Sequence, residues 1–459
     1  MVFSSILFLF RFLPIAYLAY YATPKRFKNI TLLIASLIFY SWGEVRYFPI
    51  MVSIILVNYF AGLGIGKWKQ NKPLCRVILT VSVVFSVGFL AFFKYTDFLI
   101  SNLNVVFGMT IPYLGLTLPL GISFYTFQIM TYTIDVYFDK IEVEHNIVDF
   151  GTFVVLFPQL IAGPIVKYSD INRELKERTI TAASVQEGIG IFILGLGSKV
   201  LLANSIGALW TDVEKIGFTN ISTPLAWLGI IAFTLQIYFD FSGYSLMAIG
   251  MGKALGFTFP QNFNYPYISR SITEFWRRWH MTLSSWFREY LYIPLGGNRV
   301  SPVRQYFNLF VIWFATGLWH GASWNFILWG LYFFVLICME RLFLKPFLDK
   351  HRLISHIYAL FAIVMGWVLF AITDIGKMGI YLSRLFSYSA GDDWMFYLRN
   401  YGVLLLLGVI FSMPVLNKLA TKLPAKLQWV SIAFLGLVFV LSIAYLVDST
   451  YNPFLYFRF

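Results

Sequence analysis

Long apolar blocks recur along the whole chain, and this repetition constrains the fold more than any other feature. The clearest blocks are Ile6–Tyr21, Thr31–Trp42, Pro49–Gly66, Val77–Phe93, Ile189–Trp210, Leu225–Gly250, Ser355–Ile372, Tyr401–Met413 and Trp429–Val447. A helix of roughly 20 apolar residues spans the hydrocarbon core of a bilayer, and shorter blocks can cross where the membrane is thinner. The pattern predicts an all-α polytopic membrane protein with about eleven or twelve crossings. We expect one membrane domain over residues 1–459.

Composition excludes an ordinary soluble domain. Hydrophobic residues make up 59% of the chain and charged residues 12%, against about 45–50% and about 25% in soluble proteins. The first block is not preceded by a basic segment or followed by a small-residue cleavage site, so we expect a retained helix and not a signal peptide. Cys75 and Cys338 are too few and too far apart for a thiolate metal site or a disulfide framework.

The formal net charge of +13 is explained by membrane topology and not by a nucleic-acid partner. Basic residues follow the first and third helices and fill the segment 252–305. Because cytoplasmic loops carry an excess of lysine and arginine, we expect these segments to be cytoplasmic and both chain ends to be outside. This topology requires the short block Phe150–Gly163, which Pro158 breaks, to be re-entrant.

The segment 252–305 is the least membrane-like part of the chain. Within it, apolar residues recur at helical spacing from Thr273 to Leu291, and this spacing predicts one amphipathic helix that lies in the membrane interface. His280 falls on the apolar face of that helix. By itself, such a residue is more typical of a hydrogen-bonded core histidine than of a catalytic one.

A second histidine lies inside the apolar stretch Phe307–Ile337, which is long for one span and short for two full spans. Glycine, serine and asparagine around His320 predict a broken helix pair over residues 306–340 that carries this histidine at the break. An ionisable residue at membrane depth is a functional hypothesis by default, because a neutral imidazole can accept a proton from an attacking hydroxyl. A histidine that only bonds a neighbouring helix carbonyl is the structural alternative.

Several motifs occur in order in the second half of the chain: 274–280 (EFWRRWH), 283–290 (LSSWFREY), 294–299 (PLGGNR) and 316–325 (TGLWHGASWN). With Gly163-Pro164 and the aromatic C-terminus, they resemble the membrane-bound O-acyltransferase family (MBOAT). The similarity is greatest to its bacterial branch of alginate O-acetylation membrane subunits, and the peptidoglycan O-acetylation and teichoic acid D-alanylation subunits are relatives.

The resemblance implies a fold of transmembrane, re-entrant and interfacial helices around a central tunnel. It implies that His320 is the catalytic residue, that His280 supports it, and that the tail 448–459 relays the acyl group through Tyr456. A phenol suits this task because its pKa, near ~10, lies well below that of a sugar hydroxyl. Without the resemblance, the aromatic tail is more typical of an interfacial anchor.

The resulting hypothesis is an acetyl transfer across a bacterial inner (cytoplasmic) membrane, within whose lipids the protein lies. Acetyl-CoA would bind from the cytoplasm as a substrate and not as a resident cofactor, with its phosphates near Arg277, Arg278, Arg288 and Arg299. His320 would promote transfer of the acetyl group to Tyr456. An extracytoplasmic acetyltransferase of the SGNH, AlgJ or AlgX type would then move it to a polysaccharide. No metal-binding pattern is present in the sequence, so no metal is expected.

Two alternatives remain open at this point. A transporter or flippase would explain broken helices and an intramembrane histidine, and Asp135 and Asp240 lie in or near apolar stretches. Within the family, a D-alanyl carrier protein could be the donor and teichoic acid the acceptor. The sequence does not distinguish alginate, cellulose, peptidoglycan and other polymers, because the chemistry that faces the sugar belongs to the partner.

Overall fold

The computed structural model describes residues 2–161, 163–415, 417, 428–448 and 455, and the regular structure in this part of the chain is helical. The α-helices are α1 (Leu13–Ala22), α2 (Lys28–Glu44), α3 (Phe48–Lys67), α4 (Lys72–Phe107), α5 (Ile122–Tyr137), α6 (Ile147–Val155), α7 (Phe157–Leu160), α8 (Tyr168–Lys176), α9 (Ala182–Gly197), α10 (Ser205–Ile216), α11 (Thr223–Ala254), α12 (Ile272–Arg278), α13 (Met281–Phe287), α14 (Pro302–His320), α15 (Trp324–Met339), α16 (Lys345–Lys350), α17 (Arg352–Ala371), α18 (Ile375–Phe386), α19 (Asp393–Phe411) and α20 (Gln428–Asp448). Further π-helical segments are Phe8–Phe12, Ser198–Asn204, Arg288–Tyr292 and Glu340–Leu344, and 3₁₀ turns lie at Lys25–Phe27, Val45–Tyr47 and Pro266–Ile268.

Among the described residues, eight helical stretches are long and apolar enough to cross a membrane: Lys25–Lys67, Lys72–Phe107, Ala182–Ile216, Thr223–Ala254, Trp324–Lys350, Arg352–Ala371, Asp393–Phe411 and Trp429–Asp448. The shorter apolar helix Phe8–Ala22 precedes them. Lys25–Lys67 counts as one stretch although a 3₁₀ turn divides it into α2 and α3. The architecture is that of an all-α polytopic membrane protein, as predicted.

The chain divides into two compact units, residues 1–192 with 245–260, and residues 193–244 with 261–459. In the first unit, α3 packs closely on α5, because a Cβ on Gly62 would overlap the ring of Tyr132. A buried polar network joins the ends of α5, α6 and α8. Lys176 binds the carboxylates of Glu144 and Asp149 at 2.7 Å each, and the Tyr168 hydroxyl donates to Glu144 at 2.6 Å.

The block Phe150–Gly163, which we expected to be re-entrant, forms the end of α6 and the short helix α7, separated by Leu156. The side chains from Phe150 to Ile161 are buried within the first unit. Pro158 lies in the first turn of α7, where its missing N–H costs no helical hydrogen bond. The break therefore lies just before the proline and is enclosed by protein. That the block is re-entrant stays a prediction.

The second unit has an aromatic core built around the α14–α15 hairpin. α15 also packs on α17, and α12 packs on both α15 and α17. Buried indole rings join these helices: Trp276 contacts Trp313 and Trp329 with ring centroids 5.0 and 5.4 Å apart, and Trp279 contacts Trp367 at 4.8 Å. Asn325, at the start of α15, donates from Nδ2 to the carbonyls of Leu369 and Phe370 at 3.1 and 3.2 Å. These two bonds fix the end of α17 against the hairpin.

Candidate active site

The predicted amphipathic helix from Thr273 to Leu291 is wrong, because the structure breaks it at His280. α12 ends at Arg278, His280 has a left-handed backbone (φ 44°, ψ 54°), and α13 begins at Met281. The helix also begins one residue earlier than predicted, at Ile272, with the Ser271 hydroxyl capping the Glu274 N–H at 3.0 Å. A left-handed conformation costs an L-residue about 1–2 kcal/mol.

The preceding loop stabilises this break. The N–H of Met281 donates to the carbonyl of Asn262 at 2.9 Å, and the N–H of Asn264 donates to the carbonyl of Arg278 at 2.9 Å. Backbone groups that would have bonded within a continuous helix thus bond the loop instead. Helical periodicity in the sequence does not report such a long-range pairing, which is why the pattern predicted one helix.

Asn262 fixes the tautomer of His280. Its Oδ1 accepts from the Thr282 N–H at 3.3 Å and the Thr282 hydroxyl at 2.9 Å, and it lies 3.0 Å from His280 Nδ1. A backbone N–H can only donate, so the amide oxygen faces this cluster and Nδ1 of His280 carries the proton. The basic lone pair is then on Nε2. Sequence reasoning missed Asn262, which lies in a loop without any periodic pattern.

The His280 ring is 1% exposed and is held between aromatic rings. Phe241 meets it edge-on with centroids 4.7 Å apart, and Trp319 lies 5.7 Å away. Burial lowers the pKa of His280 to about 3, because desolvation penalises the imidazolium. The ring is therefore neutral at physiological pH, as a proton acceptor must be.

His280 lines a cavity of about 550 Å³ within the second unit. Apolar side chains from α12, α14 and α15, including Trp276, Leu309 and Trp313, form part of its wall. Three exposed arginines also line it, Arg277, Arg288 and Arg341. The cavity thus combines a neutral imidazole, an apolar wall and a positively charged rim, which suits a ligand with an anionic part and a reactive carbonyl.

The four arginines predicted near the donor phosphates do not behave alike. Arg277 and Arg288 line the cavity, as described above. Arg278 instead pairs with Glu274 at 3.0 Å and donates to the carbonyl of Asn264 at 3.1 Å. Arg299 is exposed and does not belong to the described lining of this cavity. Arg341, which has no periodic or motif signal in the sequence, also lines the cavity.

Glu340 holds α12 in place from the end of α15. Its buried carboxylate accepts from the backbone N–H groups of Ile272 and Thr273 and from the Thr273 hydroxyl, at 2.5, 3.0 and 2.7 Å. A carboxylate at a helix N-terminus satisfies orphan donors and interacts favourably with the helix dipole. The position of α12, and with it of Trp276 and Arg277, is thus coupled to the hairpin that carries His320.

His320 is the last residue of α14, and the predicted break follows it at Gly321–Ser323 before α15 begins. Glycine permits the two helices to approach closely. A Cβ on Gly317 would lie 2.5 Å from the carbonyl oxygen of Phe326, and one on Gly330 would overlap the carbonyl oxygen of Trp313. A rigid, tightly packed hairpin therefore positions the imidazole.

The His320 ring is buried, 4% exposed, and makes edge contacts with three aromatic rings. Its centroid lies 5.0 Å from Trp319, 4.8 Å from Trp329 and 5.3 Å from Phe370. Trp319 contacts both His280 and His320, so the two predicted histidines share one indole as a neighbour. Among the described residues that line the cavity, His280 is present and His320 is not.

Tyr456, the predicted acyl acceptor, lies outside the described residues. The residue before it, Leu455, is described: its side chain is 5% exposed and belongs to the same buried cluster as Trp276 and Trp329. The Leu455 N–H donates to Asp240 Oδ2 at 2.9 Å.

Asp135 and Asp240, the two carboxylates that are consistent with the transporter alternative, both have lysine partners. Asp240 binds Lys199 at 2.5 Å, and Asp135 binds Lys140 at 3.3 Å. In the part of the chain that the structure describes, no group of three or more histidine, cysteine, aspartate or glutamate side chains could hold a metal ion.

Residues 140–383 match MBOAT, the membrane-bound O-acyltransferase family. The chain is 38% identical over 492 aligned residues to the probable alginate O-acetylase AlgI of Pseudomonas putida, with 100% of both proteins covered. It is 32% identical to the peptidoglycan O-acetyltransferase of Helicobacter pylori, over 100% of this chain and 98% of that protein. It is 30% identical to the teichoic acid D-alanyltransferase of Streptococcus thermophilus, over 46% of this chain and 54% of that protein. These are the three groups of relatives that the motifs indicated.

Proposed function

The chain belongs to the membrane-bound O-acyltransferase family and is a multi-pass membrane O-acyltransferase, and from this premise we propose that it passes acetyl groups from cytoplasmic acetyl-CoA to its own Tyr456. A partner outside the bacterial inner membrane then takes the acetyl group and transfers it to a polysaccharide, with alginate as one candidate. The single observation that carries the proposal is the arginine-rimmed cavity that reaches the neutral imidazole of His280.

The cavity supports acetyl-CoA as the donor. The exposed guanidiniums of Arg277, Arg288 and Arg341 suit the phosphates, since arginine binds phosphate oxygens through paired N–H groups. The apolar wall suits the uncharged arm that carries the thioester. The thioester carbonyl would then lie near His280, whose ring contacts Trp319, and Trp319 also contacts the ring of His320.

The proposed reaction is acyl transfer from sulfur to oxygen. The Tyr456 phenolic oxygen attacks the thioester carbonyl while an imidazole accepts its proton. The tetrahedral intermediate collapses, the C–S bond breaks, and the imidazolium returns the proton to the CoA sulfur. We assign the proton transfer to His320 and a supporting role to His280, whose Nε2 lone pair is held in place by the bond from Nδ1 to Asn262.

The phenyl ester of Tyr456 explains why a second protein can complete the reaction. A phenolate is a better leaving group than a sugar alkoxide, because the phenol has the lower pKa. The acetyl group therefore keeps transfer potential on the tail, and an acetyltransferase of the SGNH, AlgJ or AlgX type could accept it on a serine outside the membrane.

Mass spectrometry of the C-terminal peptide tests this proposal. Purified protein incubated with acetyl-CoA labelled in the acetyl group should carry the label on Tyr456, and Tyr456→Phe should abolish it. Tyr445, a half-exposed tyrosine near the end of α20, is the control and should remain unlabelled.

An unlabelled Tyr456 under conditions in which polymer becomes acetylated would exclude the relay step. If Tyr456 is labelled from a D-alanyl carrier protein and not from acetyl-CoA, the carrier protein is the donor. Proton-coupled uptake by vesicles without any acyl transfer would favour a transporter.

A further inference from the structure

A buried ion pair lies in the second unit. Lys199, in the π-helical segment Ser198–Asn204, binds Asp240 of α11 at 2.5 Å, and the two side chains are 1% and 2% exposed. Lys199 also donates to Asn204 Oδ1 at 2.8 Å. Burying two charges is unfavourable unless further hydrogen bonds satisfy them, and replacing such a pair by apolar residues is often neutral or stabilising. Stability alone therefore does not account for this pair.

The second oxygen of Asp240 binds the C-terminal segment. Oδ1 faces Lys199, and Oδ2 accepts from the backbone N–H of Leu455 at 2.9 Å, across 215 positions of sequence. A hydrogen bond to a charged acceptor is stronger than one between neutral groups. The bond is made to the backbone, so it does not depend on which side chain is at 455.

The helix α11, which carries Asp240, also contacts the candidate active site. The residue after Asp240 is Phe241, whose ring meets the ring of His280 with centroids 4.7 Å apart. Leu455 is one of the many buried residues of the core cluster that also includes Trp329, a ring neighbour of His320. The residue that follows Leu455 in the sequence is Tyr456.

We propose that the Lys199–Asp240 pair is a positioning site that fixes the tail backbone at Leu455 and so presents Tyr456 for acetylation. The proposal rests on Tyr456 being the acyl acceptor, as proposed above. Lys199 orients the carboxylate and Asp240 accepts the tail N–H, and neither is a catalytic residue. Because the anchor acts on the acceptor, it affects tail acetylation and not donor binding.

Two double variants separate this role from a purely structural one. Lys199→Met with Asp240→Asn removes both charges and keeps a carbonyl that can accept the Leu455 N–H. Lys199→Met with Asp240→Leu removes the charges and the acceptor together. Neither variant leaves an unpaired buried charge, which would be strongly destabilising. Thermal unfolding of the detergent-purified proteins verifies that both are folded.

Two readouts on the full-length chain then test the anchor. The first is hydrogen exchange of the C-terminal peptide followed by mass spectrometry. The second is the kinetics of Tyr456 acetylation, resolved into kcat and the KM for acetyl-CoA. The double variant with Asp240→Asn should keep the C-terminal peptide protected from hydrogen exchange and should retain most of kcat. The Leu variant should lose the protection and at least ~10-fold in kcat with an unchanged KM, since misplacement of a reacting group by ~1 Å can cost ~10²-fold.

Equal behaviour of the two double variants, or unchanged tail protection in the Leu variant, would overturn the inference and leave the relay intact. If wild-type Tyr456 is never acetylated while tail protection depends on the acceptor at 240, the relay fails and the anchor stands as a docking site only. A third variant, Leu455→Pro, removes the donor N–H and leaves the ion pair untouched. It should match the Leu double variant in exchange and kcat, whereas Leu455→Ala, which keeps the N–H, should retain protection.

Discussion

The two histidines of the candidate active site occupy regions built in different ways. His280 lies at a strained break between two short helices, with its tautomer fixed by Asn262, and it faces a cavity with exposed arginines. His320 ends a long helix whose glycines pack against the next helix, and aromatic rings surround it. The His280 region supplies access and a defined lone pair, and the His320 region supplies rigidity.

Under the proposed function, this difference would let a large, charged donor reach a buried base. A donor of this kind needs a charged mouth, which is present on the His280 side. Preorganisation needs a ring that does not move, and close-packed helices hold side chains in single rotamers. Trp319 contacts both imidazoles and is the shared element of the two regions.

The largest expected effect comes from His320→Ala. Loss of a general base typically lowers the rate by ~10²–10⁴-fold, so acetylation of Tyr456 should fall by this factor while the protein stays folded in the membrane. The measurement is the initial rate of label transfer from acetyl-CoA. His351→Ala, at an exposed histidine between α16 and α17, is the matched control and should retain the wild-type rate. Turnover of His320→Ala within about 10-fold of wild type would move the base to another residue.

The next effect concerns the orientation of His280. Asn262→Leu removes the acceptor of Nδ1 and should reduce the rate by up to ~10²-fold, because a misplaced group loses the productive geometry. Asn262→Asp keeps an acceptor at the same place and should retain more activity than the leucine variant. Equal losses in the two variants would mean that the bond does not hold the ring for the reaction.

Which parts of this site could be predicted depends on how far apart in the sequence the interacting residues lie. The spans, and the break after His320, depend on apolar runs and glycines that are contiguous in sequence, so they could be predicted. The break at His280 depends on bonds from the loop at Asn262 and Asn264, and α12 depends on Glu340, which lies 67 or more positions away from the groups it caps. Such pairings have no periodic signature. The motifs therefore located both histidines but not their surroundings.

A third variant tests the rigidity of the His320 region. A methyl group at Gly330 would overlap the carbonyl oxygen of Trp313, so Gly330→Ala should push α14 and α15 apart. Overpacking of this kind costs about 1–3 kcal/mol, which should lower the unfolding temperature in detergent. Gly88→Ala, where no atom lies within 4 Å, is the control and should be neutral or slightly stabilising. An unchanged unfolding temperature for Gly330→Ala would show that the hairpin can relax.

A smaller effect is expected at the mouth of the cavity. Arg277→Ala and Arg288→Ala should each raise the KM for acetyl-CoA by about 10-fold, with kcat nearly unchanged. A factor of about 10 is the lower end of what the loss of a hydrogen bond to a charged group costs. Arg278→Ala should leave KM close to wild type, because that guanidinium pairs with Glu274. The comparison is made by steady-state kinetics at several salt concentrations. A larger KM effect at Arg278 than at Arg277 would place the donor elsewhere.

The smallest effect concerns pH. Burial lowers the pKa of His280 to about 3, so the ring stays neutral between about pH 5 and pH 8 and should not produce the acid limb of the rate profile. His280→Gln should therefore change the height of the profile but leave the midpoint of its acid limb in place. A shifted midpoint in this variant would show that His280 itself titrates during turnover.

Unfolding gives the same lowered pKa a second, independent test. An unfolded chain binds a proton at histidine near ~6.5, whereas the folded protein does so only toward 3. Between these two pKa values the unfolded state holds more protons than the folded state. The free energy of unfolding therefore decreases as the pH falls below ~6.5, by up to about 2 kcal/mol at pH 5. His280→Gln removes this contribution, and its unfolding temperature should fall less than that of wild type between pH 7 and pH 5. An equal fall in both proteins would mean that water reaches the imidazole from the cavity side and that the ring is less desolvated than its packing against Phe241 and Trp319 implies.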